Sequence, residues 1–232
     1  MNKAFFPISV DNKNYSSKNL SALIKIILEL DDCRPYFLIA DNLQLYNKVK
    51  QTNKELSFIV QNFKTKNQYF PERVKWINKV FKRDFPQIDE SVFKKWKIKN
   101  VSEITDHKFF NIYRSLLILF NVDDEFRNDL SEAAENHTIY ESIDSTELQI
   151  RLNRLYVLEE IAINLRMRVF NKLYSEYYLG QLPSVLTKIY YEKYSLNIKD
   201  LTGKNLSGLD FKFYEGKVEF DNIIWNKINH IC

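Results

Sequence analysis

The sequence predicts an α/β fold: one domain spanning residues 1–232, with a mainly parallel sheet flanked by helices. Residues Lys3–Val10 (KAFFPISV) and Pro35–Ala40 (PYFLIA) are short apolar runs without polar alternation, the pattern of strands covered on both faces. Between them Leu20, Leu23, Ile24, Ile27 and Leu28 recur at helical spacing. Strand, helix and strand in close succession open a parallel βαβ unit.

The elements follow in order. After the first strand, Asp11–Ser16 is a polar turn, and Ser16 or Ser17 can cap a helix running to about Leu30. Pro71 suits the first turn of a helix over Glu72–Arg83. Val74, Ile77, Val80 and Phe81 form its apolar face, and Lys75, Lys79, Lys82 and Arg83 recur on another. Asp144 and Glu147 have capping-box spacing at the start of a long helix through Leu148, Leu152, Leu155, Leu158 and Ile161. Ser184–Tyr191 fits a strand or a helix equally. Leu209–Phe213 and Lys217–Phe220 flank Glu215-Gly216, the pattern of a small hairpin.

Composition narrows the class. A chain of 232 residues with 45% hydrophobic content can bury a substantial core, and only 4 Gly and 5 Pro argue against linkers and low-complexity segments. Met1–Ser9 lacks the pattern of a signal peptide, and the longest apolar run, Leu116–Phe120, is far too short to span a membrane. Cys33 and Cys232 have no CxxC spacing, so neither zinc nor a disulfide framework is indicated, and a reducing cytoplasm is the expected location. Net charge is only +4, yet Lys64–Lys99 holds eleven Lys or Arg against four acids. Such a local excess suggests a polyanionic partner.

Several chemistries lack their signatures. Neither GxGxxG nor GxxxxGK[ST] occurs, so the phosphate cradles of dinucleotide and P-loop sites are missing. His107, His137 and His230 are scattered. Ser9 remains, at the carboxyl end of the first strand, where open α/β sheets bind ligands, with Asn12 three residues on. Serine and asparagine are also ordinary turn residues. Tyr156 and Glu160, four apart, share one face of the long helix. A carboxylate there can hold an ammonium or move a proton, although Tyr–Glu pairs are also common on exposed helix faces.

These residues fall together in one family. Ile8-Ser9-Val10-Asp11-Asn12-Lys13-Asn14-Tyr15-Ser16 resembles the tRNA-dependent cyclodipeptide synthase pattern, in which a catalytic Ser is followed by Asn and an aromatic-Ser step. Tyr156-Val157-Leu158-Glu159-Glu160 is similar to that family's Tyr-x-x-x-Glu motif, and the basic helix lies between the two as it does there. The resemblance runs from Phe5 to about Tyr191. It implies a Rossmann-like domain akin to the catalytic domain of class I aminoacyl-tRNA synthetases. It further implies Ser9 as nucleophile, Tyr156 and Glu160 holding the aminoacyl group, and Asn12 near the reacting carbonyl. A third site tyrosine would be Tyr190, with Tyr191 as rival, since no His or Pro follows Tyr190. Phe5, Pro7 and Ile163 would line an apolar pocket, suited to leucine. Lys75, Lys79, Lys82 and Arg83 would bind tRNA phosphates, although such a run is also the ordinary make-up of a solvated helix face. The implied partners are two aminoacyl-tRNAs, the protein itself being a monomer or homodimer. An ester already activated implies no cofactor, ATP or metal.

Overall fold

The computed structural model describes residues 2–9, 15–30, 33–40, 69–136, 147–180, 182–206, 209–219 and 222–228. Strand β1 (Asn2–Ser9), helix α1 (Ser17–Glu29) and strand β2 (Cys33–Ala40) make the predicted βαβ opening. Ser16 is the cap of α1, its hydroxyl accepting from the Asn19 N–H at 3.2 Å. Helix α2 (Tyr69–Asp84) carries Pro71 in its first turn, where a missing N–H costs nothing. Helix α3 (Glu90–Lys94), strand β3 (Lys97–Asn100) and a 3-10 turn (Val101–Glu103) follow. Then come α4 (His107–Val122), α5 (Asp124–Asn136) and α6 (Glu147–Asn171). The chain continues through β4 (Ser175–Leu179), α7 (Ser184–Tyr190), α8 (Ile198–Thr202), β5 (Lys212–Glu219) and β6 (Asn222–Lys227).

The six strands form one sheet in the order β3-β2-β1-β4-β5-β6, parallel throughout except for the antiparallel pair β5–β6. The first three strands build outward to one side of β1, and β4 and β5 to the other. That is a doubly wound order, and its switch point lies between β1 and β4. β1 pairs with β2 along its length, from Asn2 opposite Cys33 to Ser9 opposite Ala40. It pairs with β4 only at Ala4–Ser175 and Phe5–Glu176. Beyond those rungs the carboxyl ends of β1 and β4 part.

Both faces of the sheet are covered. Phe5, Leu38 and Phe213 pack under residues of α4 to α8, including Leu116, Leu130, Ile161 and Val185. Ala4, Phe6, Ile8, Phe37, Ile39 and Leu179 pack under α1 and α2 through Leu20, Leu23, Ile77 and Phe81. Successive residues of β1 thus alternate between two apolar layers, which is why the strand reads as a continuous apolar run. Helix α4 begins at Asp106, which accepts from the backbone N–H groups of Lys108 and Phe109 at 3.0 and 3.1 Å. Arg166 of α6 grips the same carboxylate at 3.0 and 2.6 Å, locking the two helices together.

Two expectations resolve differently from their simplest form. Ser184–Tyr190 is a helix, one of the two readings its pattern allowed. The hairpin expected around Glu215-Gly216 is not there: both residues lie inside β5, and the antiparallel partner is β6. A Cβ at Gly216 would stand 2.7 Å from the Trp225 ring and 2.8 Å from the Leu179 side chain. The glycine answers to close packing across three strands, not to a turn. Asp144 of the expected capping box lies outside the described residues.

Candidate active site

In open α/β sheets ligands bind in the crevice outside the carboxyl ends of the strands at the switch point, which here lies between β1 and β4; α6 packs in the layer that covers Phe5 of β1. Helix α6 is buried on most sides, and Asn153, Tyr156, Glu160, Asn164 and Arg168, buried or half-buried, form one polar stripe along it. Intervals of three and four keep these side chains stacked along one face. The lower part of the stripe is fully partnered. Glu176 of β4 is 1% exposed and accepts from Asn164 Nδ2 at 3.0 and 2.8 Å and from Arg168 Nη1 at 2.9 Å. Arg168, 0% exposed, also donates to the carbonyls of Leu173 at 3.1 Å and Tyr174 at 2.9 Å. Its guanidinium lies 4.1 Å from the Phe213 ring centre and 4.8 Å from that of Tyr190. A buried charge so enclosed is matched on every side, as burial demands.

The upper part of the stripe is not. Glu160 Oε2 is buried and accepts no hydrogen bond among the described residues. Burial pushes the carboxyl from its ordinary 4.5 up to about 7, and the nearby charge of Glu176 pushes the same way. Asn153, 1% exposed, likewise has an unpartnered Oδ1. Phenols lie near the carboxylate. Tyr156 is buried on the same stripe. Tyr178 of β4 is pushed well up by burial, then by the charges of Glu160, Tyr15, Tyr156 and Glu176. Tyr15, 4% exposed, donates its hydroxyl to the Pro7 carbonyl at 2.5 Å. It too is raised by burial and feels Glu176 and Glu160, while a hydrogen bond from the Leu179 backbone opposes the rise. Tyr178 therefore lies within electrostatic reach of Tyr15, Tyr156 and Glu160, and Tyr15 within that of Glu160. The site offers a buried carboxylate with one open oxygen and phenols nearby, which is a receptor for a cationic donor.

The residues singled out from sequence divide accordingly. Tyr156 and Glu160 come together, and Pro7 joins them through Tyr15. Ser9 ends β1 with its backbone opposite Ala40; its side chain, like Asn12, lies outside the described residues. Phe5 and Ile163 are core residues of the α6 layer, 1% and 4% exposed. Tyr190 lies beneath the crevice, its hydroxyl donating to Asn164 Oδ1 at 2.9 Å, inside the Arg168–Glu176 network. Tyr191 is half-buried at the end of α7. Of the basic face on α2, Lys75 and Lys79 are exposed. Lys82 is paired with Glu90 at 2.8 Å and Arg83 with Asp84 at 2.5 Å. A surface pocket lined by Lys18, Ser21, Lys25 and Arg83 lies between α1 and α2, on the opposite layer of the sheet from Glu160. Among the described residues no group of three His, Cys, Asp or Glu side chains could hold a metal, and no helix is long and apolar enough to cross a membrane.

The sequence offered Tyr15 only as the aromatic of a motif and gave no role to Asn164, Arg168, Glu176 or Tyr178. Continuing the Tyr156–Glu160 step of four reaches Asn164 and Arg168, so part of the stripe was available in the sequence. Tyr178 stands in a short aromatic run closed by Gly180, whose φ of +133° a residue with a Cβ seldom adopts. That punctuation was the signal for β4.

Fold and crevice together define a Rossmann-like α/β protein with a polar site at its switch point. No protein-family model and no curated protein matches the sequence. Solved structures do: the fold is that of the cyclodipeptide synthases. The chain is similar to such a protein from Fluoribacter dumoffii at 16% identity and a TM-score of 0.66, covering 99% of this chain and 91% of that one. It is similar to AlbC, a cyclodipeptide synthase from Streptomyces noursei, at 13% identity and a TM-score of 0.59, covering 93% and 95%. A Mycobacterium tuberculosis protein, described as demonstrating that cyclodipeptide synthetases are related to type I tRNA synthetases, matches at 14% identity and a TM-score of 0.60, covering 82% and 78%.

Proposed function

We propose that this chain is a tRNA-dependent cyclodipeptide synthase, joining two aminoacyl groups from aminoacyl-tRNAs into a diketopiperazine. The observation that carries the reading is the buried, unpartnered oxygen of Glu160, set among phenols in the crevice beside the end of β1. An aminoacyl ammonium supplies the donor that oxygen lacks.

In the proposed reaction the Ser9 hydroxyl attacks the ester carbonyl of a first aminoacyl-tRNA. The Ser9 ester forms, the bond to the terminal ribose oxygen breaks, and that oxygen leaves with a proton as free tRNA. Glu160 and Tyr156 hold the ammonium of the bound aminoacyl group, and Tyr178 joins them as the third site phenol in place of Tyr190. Once deprotonated, the amine of that group attacks the ester of a second aminoacyl-tRNA. A dipeptidyl ester of Ser9 forms and the second tRNA leaves. The free amine of the dipeptide then attacks the Ser9 ester carbonyl, closing the ring and returning the Ser9 hydroxyl. Asn12 orients the reacting carbonyl. Phe5, Pro7 and Ile163 line an apolar pocket, with leucyl-tRNA as the first substrate to try. Lys75 and Lys79, together with Lys82 and Arg83, follow the phosphates of the acceptor stem.

Expression in a bacterial host, with mass spectrometry of the medium, tests the reading. Cyclic dipeptides are expected from the wild type and none from Ser9→Ala. Product that survives Ser9→Ala refutes the covalent route, and tight RNA binding without any product refutes the enzyme.

A further inference from the structure

Helix α4 is apolar on two faces. Phe109, Ile112, Leu116 and Leu119 are buried on its inner side, where it packs on α6 and α8. Its outer side exposes Phe110, Arg114, Leu117, Ile118, Asn121 and Val122, whose intervals of three and four make one stripe. Phe110 is 59% exposed, Leu117 37%, Ile118 49% and Val122 63%. Among the described residues six large apolar side chains are this open, and four of them stand on this one stripe. A surface helix ordinarily turns a polar face to water, and a contiguous apolar one marks an interaction surface.

The charges beside the stripe point to what covers it. Helix α4 holds no acid: its charged side chains are Lys108 and Arg114, with His107 at its start. Helix α5, which follows after Asp123, holds Asp124, Glu125, Asp129, Glu132 and Glu135 against Arg127 alone. Asp124 pairs with Arg127 at 2.6 Å and Glu125 with Lys188 at 3.4 Å, yet their side chains stay 84% and 63% exposed. A basic stretch and an acidic one thus adjoin the same apolar stripe, and two copies laid antiparallel complement each other. We propose that the outer face of α4 is the contact of a homodimer, in which Arg114 of each copy meets Asp124 and Glu125 of the other across a two-fold axis near Ile118. Leu117, Ile118 and Val122 of both copies form its apolar centre. A helix of 16 residues is about 24 Å long, which makes the contact a small one, and pairing at concentrations on the order of 10 μM is expected. The dimer does not rest on the synthase reading. Lys75 and Lys79 belong to α2, which packs on the other layer of the sheet, so pairing through α4 leaves that face open.

Sedimentation equilibrium of the full chain, over a concentration series from about 1 to 200 μM, is the test. The wild type is expected to pass from monomer to dimer within that range. Ile118→Glu puts a charge at the centre of the contact on a side chain already half in water, and is expected to weaken pairing by at least about 100-fold with an unchanged melting temperature. Two charge reversals then read the arrangement. Arg114→Glu alone, and Asp124→Lys with Glu125→Lys in one chain, set like charges against each other in their own dimers and are each expected to pair at least about tenfold more weakly than the wild type. Mixing the two proteins brings opposite charges together at both ends of the contact and is expected to restore pairing, which no general loss of folding could do. A wild type that stays monomeric throughout overturns the proposal, as does a dimer that Ile118→Glu leaves intact. A wild-type monomer that instead binds a different protein through this face overturns it too. Reversed variants that fail to pair when mixed, each with the melting temperature of the wild type, overturn the antiparallel arrangement.

Discussion

The carboxyl of Glu160 sits at about 7, raised from 4.5 by burial and by Glu176, so both protonation states are in play near neutral pH. An acid whose pKa is higher folded than unfolded binds its proton more tightly in the native state. Its contribution to stability is fully present below the ordinary value and is lost as pH rises through about 7. At 1.36 kcal/mol per unit this amounts to about 3 kcal/mol. Glu160→Gln is therefore expected to be more stable than the wild type at pH 8.5 by up to about that amount, and nearly equal to it at pH 4; urea denaturation at the two pH values measures it. Activity has the opposite sign. The acylation rate of the wild type is expected to rise through pH 7 as the carboxylate forms, and that of the variant to stay low and flat. The tyrosines separate in the same way. Tyr178→Phe is expected to lower turnover by at least about tenfold with little change in stability. Tyr190→Phe deprives Asn164 Oδ1 of its donor and is expected to cost about 1–2 kcal/mol of stability, with a smaller effect on rate. Paired thermal melts and turnover assays decide the matter. Full activity in Tyr178→Phe with inactivity in a stable Tyr190→Phe would return the third phenol's role to Tyr190.

Helix α2 and helix α6 differ in how far their patterns could be followed. On α2 the basic spacing was plain, yet Lys82 and Arg83 already have carboxylate partners, at 2.8 Å in Glu90 and 2.5 Å in Asp84, leaving Lys75 and Lys79 as the exposed cations best placed for phosphates. Reversing both, as Lys75→Glu with Lys79→Glu, is expected to raise KM for aminoacyl-tRNA and to flatten its log–log salt dependence by roughly 1–2 units, about one for each phosphate no longer neutralised. A salt series on the two proteins measures it, and an unchanged slope would make the helix a plain solvated face. On α6 the Tyr156–Glu160 step was legible because its two members stand among leucines. Asn164 and Arg168 continue the same step, but a buried arginine looks like a surface residue until its counter-ion is known, and Glu176 lies on another element. Strand β4 hid for the same reason, a glutamate in its centre breaking the apolar run. β3, with Lys97 and Lys99 about Ile98, reads as basic surface. Gly216 suggested a turn because the Trp225 ring that requires its missing Cβ comes nine residues later. Local pattern carried the βαβ opening and the α6 pair; every miss depended on a partner distant in the chain.

Seen as one body, the molecule is two apolar layers on a split sheet, and the Arg168–Glu176 pair joins the parts beneath the split. Arg168 belongs to α6 and Glu176 to β4. The arginine also reaches the Tyr174 carbonyl and stacks on Phe213 of β5 and Tyr190 of α7. Taking away one member strands the other's charge at 0% or 1% exposure. Arg168→Met is accordingly expected to cost about 3–5 kcal/mol, measured by urea denaturation. The double variant, Arg168→Met with Glu176→Gln, removes the stranded charge and is expected to recover at least about half of that loss, since a matched apolar or neutral pair can replace a buried ion pair at little cost. The same double variant tests the coupling to the site. Glu176 is one of the two causes that raise Glu160, so neutralising it moves the rise of the pH–rate profile to lower pH. Recovery of stability without that displacement would mean that the pair fastens the layers but leaves the crevice untuned. A single variant as stable as the wild type would mean that it fastens nothing.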